Sequence, residues 1–442
     1  MSLSRSIANG ASSLQAHQRK LDVISNNIAN ANTVGYKSSR ANFAEQFNQL
    51  YSNGNGPDNV GVIGNGGINP KQMGLGVKLS SISMDMGQGT LETTSRSLDL
   101  ALQGDGFFVF NNNNTQVYSR AGAITRDKSG NFVDTNSGAF LQGFNLLPNS
   151  TKLDNQIKNL NVSQSTISAP RQTQNINMSG NLNSLAATGA QYATSISVFD
   201  NEGAAHTLNV TFTKTANANE FSLTGTLDGN NVTLPVGAGG TTTILFNNDG
   251  TIANVNGAVP ASRSLAVTGT ELNTALGPNV NVFDATKNLS VNFAADANNL
   301  LSGLTQVGSP NSANMSNQDG YASGTLTDLT VDPQGKIWGA FTNGQSQVLG
   351  QVLVAKFTNP TGLIKQGNNF YTDSPNSGLA NIGTAGENFP STSISGYALE
   401  QSNVEMTEQF TEMIAAQRGF EAAARTVTVS DQLLGETNNL KR

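Results

Sequence analysis

Apolar residues recur at alternating steps of four and three through the start of the chain: Leu3, Ile7, Gly10, Leu14, His17, Leu21, Ile24, Ile28 and Ala31 fall on one stripe. That spacing is the seam of a coiled-coil helix and predicts one helix over residues 1–33. Met406, Phe410, Met413, Gln417, Phe420, Ala424, Val427, Asp431 and Leu434 keep the same register at the far end, with Val404 and Ile414 widening the face. A second helix is predicted over residues 399–442. At 1.5 Å per residue the first is roughly 45 Å long, too long and thin for one intrachain contact to cover its stripe. Association of many copies is the natural solution. Leu3, Ile7, Leu14, Leu21, Ile24 and Ile28, with Phe410, Met413, Phe420, Val427 and Leu434, are therefore the candidate polymer-core interface. Gly10, His17, Gln417 and Asp431 interrupt the two seams, which costs stability and leaves room for slight sliding. Asn26, Asn27, Asn30 and Asn32 crowd the last turns of the first helix, and Gly35 stops it.

Between the helices the period changes. Residues 34–90 and 373–398 read as a connector, in which Ala41 to Tyr51 is expected to be helical, with Phe43 and Phe47 one turn apart. Gly/Asn-rich stretches follow at Ser52 to Asn59 and Ile63 to Gly67. The Gly-rich connectors between Asn53 and Gly76, and around Ser374 to Gly386, are expected to permit small rotations. From Leu91 to about Ser168 the pattern alternates at period two: Leu98, Leu100 and Leu102, a turn at Gly104-Asp-Gly106, then Phe108 and Phe110 on the return. Asp127 to Gly130 predicts a second hairpin. Residues 91–168 and 320–372 form a first β-domain, the latter with a turn at Asp332-Pro-Gln-Gly335 and strands carrying Val348, Val352, Val354 and Phe357. Residues 169–319 form an inserted β-domain. Its strands carry Tyr192, Thr194, Ile196 and Val198, then Leu208, Val210 and Phe212, then Leu289, Val291 and Phe293, with turns at Asp200 to Gly203 and Asn247 to Gly250. The expected class is α+β: a terminal α-helical coiled-coil core with nested antiparallel β domains, the inserted one a sandwich or barrel.

Composition narrows what such a chain can do. Only 12% of its 442 residues are charged, about half the usual ~25%, so its surface is neutral and polar. A net charge of −6 argues against a nucleic-acid partner, which needs a basic field. No apolar run approaches the ~18 residues of a membrane span, so no membrane insertion is expected. The start of the chain lacks the basic and apolar regions of a cleaved signal peptide. With no cysteine, disulfides, thiolate metal sites and cysteine nucleophiles are excluded.

Catalytic chemistry lacks its parts. No nucleophile-elbow, phosphate-loop or zinc-helix motif is present, and Asp105, Asp127 and Asp249 are read as turn residues, because no spaced set of carboxylates completes a calcium loop or an acid dyad. His17 lies on the first seam as a packed or interface residue, and His206, preceding a strand, is expected to be exposed. No catalytic residue, cofactor or metal site is expected.

Leu21-Asp-Val-Ile-Ser-Asn-Asn-Ile-Ala-Asn-Ala-Asn-Thr-Val-Gly-Tyr-Lys37 resembles the N-terminal signature of bacterial flagellar rod and hook proteins. The run Leu399-Glu-Gln-Ser-Asn-Val-Glu, with Met413-Ile-Ala-Ala-Gln-Arg418 and Ser430-Asp-Gln-Leu-Leu434, is similar to the C-terminal signature of the same family. Gly104-Asp-Gly-Phe-Phe108, Tyr118-Ser-Arg-Ala-Gly122 and Gln347 to Phe357 resemble its first β-domain. The resemblance implies that the terminal helices form the inner tube of an axial homopolymer. The chain's length goes with the hook members, since distal rod subunits are much shorter. It further implies a curved, flexible extracellular tube that passes torque from rod to filament as a universal joint. Implied partners are the hook cap, distal rod and hook–filament junction proteins and the flagellar type III export apparatus. Phe43-Ala-Glu-Gln-Phe47 fits the Phe-x-x-x-apolar motif through which the export gate is thought to read such subunits. A secreted β-rich adhesin or binding module would also explain the Asn/Thr-rich middle, but not the paired terminal seams.

Overall fold

The computed structural model describes residues 2–56, 67–147, 152–163, 165–235, 240–256, 263–278, 280–294 and 303–439; the side chains of residues 2, 3 and 438 lie outside the description. Among the described residues the α-helices are α1 (Ser2–Ala29), α2 (Gly269–Leu276) and α3 (Met406–Asn439), and most of the remaining structure is β. Two compact units arise: residues 1–164, 329–339 and 347–442 form the first, and residues 165–328 and 340–346 the second.

In the first unit α1 and α3 pack antiparallel. Ser6 Oγ meets Ser430 Oγ at 3.0 Å, Lys20 pairs with Glu412 at 3.4 Å, and Asn27 Nδ2 donates to Gln409 Oε1 at 3.0 Å. Small residues permit the close approach. A Cβ on Gly10 would lie 2.6 Å from Val427 Cγ2, and one on Gly419 would lie 2.5 Å from the His17 ring. Ala16, Ala416 and Ala423 are buried along the same line.

The segment after α1 corrects the expected helix over Ala41 to Tyr51. Ser39–Glu45 is a strand paired antiparallel with Val77–Met84, and Asn48–Ser52 pairs with Lys71–Gly74. Phe43 and Phe47 have helical spacing, but Phe43 pairs with Leu79 in a sheet ladder and Phe47 O accepts from Leu75 N between the two strand pairs. Residues 57–66 of the Gly/Asn-rich stretch lie outside the described residues. In the stretch around Ser374 to Gly386, Ser377 is fully buried and hydrogen-bonded to Ser374, and Asn381–Thr384 pairs with the strand Ser346–Lys356.

The β-body of this unit centres on Phe107–Asn112, which pairs with Thr115–Ser119, Phe140–Asn145 and Ser346–Lys356. Strands from before and after the middle of the chain thus share one sheet. Phe107, Phe108, Val109 and Phe110 are all buried, so the expected alternation of Phe108 and Phe110 gives way to a strand covered on both faces. The Gly104-Asp-Gly106 turn does not make a hairpin either. Leu100–Gln103 pairs with Ser393–Gly396, and the return from Phe107–Asn112 is made at Asn113-Asn114, both at positive φ. Leu98 precedes the strand, in which Leu100, Ala101 and Leu102 are all buried. The Asp127 turn forms as expected: its carboxylate accepts from Ser129 N and Asn131 N, each at 2.8 Å, between the paired strands Ile124–Arg126 and Phe132–Asp134. Asp332 does the same for Gln334 N and Lys336 N.

The second unit is a sandwich. One sheet orders the strands Gln191–Phe199, Ala205–Lys214, Glu220–Leu227, Thr242–Phe246 and Ile252–Val255 as antiparallel neighbours, with turns at Asp200 to Gly203 and Asn247 to Gly250 where expected. The other is mixed. Asn175–Asn183 runs parallel to Asn288–Asn292 and Leu304–Val307, which corrects the purely antiparallel expectation. Both sheets and α2 enclose one core, including Ile176, Phe212, Leu272, Phe283 and Phe293. α2 was not legible in the periodicity. It is held by a capping box in which Glu271 N donates to the Thr268 hydroxyl and Thr268 N to the Glu271 carboxylate.

Candidate functional site

The candidate assembly residues divide by exposure. Ile24 of α1 is buried, at 2% exposure, whereas Ile7, Leu14, Leu21, Ile28, Met413 and Val427 are half-buried. Phe410, Phe420 and Leu434 are exposed at 49%, 38% and 37%. The side chain of Leu3 lies outside the described residues. Met406 and Ile414, at 39% and 58%, continue the open stripe of α3 past Phe410. The spacing 406, 410, 414 keeps them on one side of the helix. The opposite side carries Ala416 and Ala423, buried against α1. α3 therefore has two apolar stripes, and this chain covers one of them.

Next to the helices lies a groove of about 700 Å³ whose lining includes Arg5, Asn9, His17, Tyr51, Met73 and Thr426. The Arg5 guanidinium donates to the Tyr51 hydroxyl across it. His17 sits half-buried with its ring edge-on to Phe43 at 5.9 Å, and burial holds its pKa below the ordinary value, with Lys20 adding to the shift. Phe43 is 38% exposed on the strand Ser39–Glu45 and Phe47 68% exposed in the link before Asn48–Ser52, so they do not share one helical face. His206 is not exposed as expected. It lies within a strand with both ring nitrogens on carboxylates, Nδ1 at 2.7 Å from Asp228 and Nε2 at 3.3 Å from Asp200. Among the described residues no cluster of histidine and carboxylate side chains is arranged to hold a metal ion.

Below the helix pair the three signature stretches meet at a place that motif reading did not single out. Lys37 and Glu400 have no exposed surface, and Arg120 has 4%. Lys37 Nζ lies 2.6 Å from Glu400 Oε1 and donates to Gly87 O at 2.7 Å; Arg120 Nη1 reaches Glu400 Oε2 at 3.3 Å, and its Nη2 donates to Gly104 O at 2.7 Å. Gly89 N donates to Glu400 Oε1 at 2.9 Å. Burial lowers the Lys37 pKa, opposed by its hydrogen bond and charge pairing with Glu400. One carboxylate shared by two cations is attractive to both yet leaves a net positive charge in the buried site; removing one partner of a buried ion pair costs roughly 3–5 kcal/mol. Gly35 makes the junction possible. It adopts φ +69, and a Cβ there would lie 2.6 Å from Ala121 N, so only glycine lets the turn after α1 press onto the loop that carries Arg120. The signal available in sequence was strongest at Arg120, the one charged residue between Gly106 and Thr125.

Comparison with known proteins follows the same outline. Four family models match: "Flagella basal body rod protein" over residues 7–37, "Flagellar hook protein FlgE/F/G D1 domain" over 101–181, "Flagellar basal body protein FlaE D2 domain" over 168–321 and "Flagellar basal body rod FlgEFG protein C-terminal" over 395–440. The flagellar hook protein FlgE of Treponema pallidum is 34% identical over 99% of this chain and 100% of its own. That of Borreliella burgdorferi is 32% identical over 99% of each. The Escherichia coli protein is 32% identical over 97% of this chain and 98% of its own. Identity above 30% along nearly the whole of both chains shows that this chain belongs to the flagellar hook protein FlgE family, a family of structural proteins rather than enzymes.

Proposed function

We propose that this chain is the structural subunit of the flagellar hook, polymerising into a curved, flexible tube that transmits torque from rod to filament as a universal joint. One observation carries the reading beyond family membership. α3 spends one apolar stripe on α1 and leaves Met406, Phe410, Ile414 and Phe420 open to solvent, an arrangement that a single chain does not satisfy and neighbouring copies would. On this reading residues 1–33 and 399–442 are the coiled-coil lining of the inner tube, 34–90 and 373–398 the connector, 91–168 with 320–372 the first outer β-domain, and 169–319 the outermost one. The subunit leaves the cell through the flagellar type III export apparatus without a cleaved signal peptide, with Phe43 and Phe47 as the export-gate motif. The rod, cap and junction proteins are its neighbours along the axis.

Electron microscopy of basal bodies from cells lacking the chain tests the reading. Complete rods that stop where the hook should begin are the expected result. Truncated rods would move the chain to the distal rod, and intact flagella would sink the axial-polymer reading.

A further inference from the structure

Glu400 receives Lys37 and Arg120, which lie 363 and 280 residues away in the sequence. The chain leaving α1 and the chain entering α3 are both fastened at this point. Gly35 N donates to Glu400 O at 2.7 Å, Ser38 N to Asn403 Oδ1 at 2.8 Å, Asn369 Nδ2 to Val34 O at 2.9 Å, and Lys365 Nζ to Lys37 O at 3.3 Å. Tyr36, between Gly35 and Lys37, sends its hydroxyl back to Asn26 and Asn27 on α1 at 2.8 and 3.2 Å. A segment built to swivel leaves its backbone polar groups to water; this one gives them fixed partners and seals opposite charges beside them.

We propose that the Lys37–Glu400–Arg120 cluster is the coupling site at which the terminal helix pair and the β-body of the first unit become one rigid piece, so that torque crosses between them through Glu400 and is not absorbed by rotation there. The inference rests on the hook reading. Hydrogen bonds are directional and weaken steeply when bent, so a ring of them around a junction resists torsion, whereas apolar contact alone is non-directional and permits sliding. The buried charges oppose separation as well, because pulling them apart leaves each ion unpaired before water reaches it. Bending compliance then resides between copies, not at this joint.

Glu400→Gln keeps the side chain's shape and removes the charge that both cations share. Cells producing this variant are scored for hooks by electron microscopy and for flagellar rotation across a range of medium viscosity. Hooks should be present and rotation near normal at low load, falling several-fold below wild type at high load. Wild-type rotation at every load, or an equal loss at every load, would overturn the coupling role. Should the variant form no hooks, hydrogen exchange on the purified full chain decides. Acceleration of about tenfold or more at Gly89, whose amide donates to the Glu400 carboxylate, the size expected on losing a charged hydrogen bond, with smaller acceleration at the adjoining amides of Gly35 and Ser38 and none elsewhere, supports the site; acceleration spread equally through the strands of the second unit reduces Glu400 to a general stability residue and refutes it. Flagella persisting in cells without the chain would count against the hook reading instead, and the exchange result would then stand by itself.

Discussion

Substituting alanine for two glycines of the helix pair isolates how much the close approach of α1 and α3 contributes. Gly10 and Gly435 both lie inside helices, and each should gain about 1 kcal/mol of helix propensity as alanine. Their surroundings differ. A Cβ on Gly10 would meet Val427 Cγ2 at 2.6 Å and Thr426 Oγ1 at 3.1 Å, whereas one on Gly435 meets nothing within 4 Å. An ordinary contact begins near 3.4 Å, so Gly10→Ala must push the β-branched Val427, or the whole of α3, outward by most of an ångström. Overpacking of this kind costs roughly 1–3 kcal/mol. The propensity gain is common to both variants and cancels in their difference, which should therefore equal the overlap cost and appear as a roughly 5- to 150-fold difference in local opening. Hydrogen exchange at the amides of Ala16 and Ala423, read in the full chain, reports that opening. Gly10→Ala should accelerate it relative to Gly435→Ala, and adding Val427→Ala to Gly10→Ala should recover part of the loss, because the clashing methyl is gone. If Gly10→Ala protects these amides as well as Gly435→Ala does, the close-contact account of the helix pair is wrong.

Asp319 accepts hydrogen bonds from Gln174 N and Asn175 N at 2.8 and 2.9 Å and pairs with Arg171. Its burial raises the pKa, but these bonds outweigh that and hold it below the ordinary value. A depressed carboxylate stabilises the fold above its unfolded pKa and loses that contribution as pH falls through the folded one. Acid unfolding of the second unit should therefore be shallower in Asp319→Asn than in wild type below about pH 4, as followed by circular dichroism. Burial pushes Tyr118 up to about 12 and Tyr371 higher still. Alkaline titration at the phenolate absorbance should show both ionising later than the exposed tyrosines, and Tyr118→Phe should remove a late step and leave the early ones. Thr268→Ala takes away one arm of the capping box on α2 and should cost about 0.5–2 kcal/mol in denaturant unfolding; an unchanged midpoint would mean that α2 is held by packing alone.

The sequence by itself determined the elements whose signal is local. Alternating steps of three and four mark both terminal helices, because a helix repeats its own face every 3.6 residues whatever it packs against. Turns at Asp127, Asp200, Asp249 and Asp332 were legible for the same reason: the carboxylate accepts from the backbone two residues on. Tertiary structure decided what depends on partners far away in the chain. Phe43 and Phe47 have helical spacing, yet residues 39–45 and 48–52 are strands, since their backbone partners at residues 71–84 outcompete a short isolated helix. The parallel pairing of Asn175–Asn183 with strands over a hundred residues later left no trace in period-two alternation, which is the same for either direction. Glu400 shows the limit most clearly. Its sequence neighbours do not predict that a carboxylate will be stripped of all water, because what makes that tolerable, Lys37 and Arg120, reaches it only once both ends of the chain have come together on the β-body.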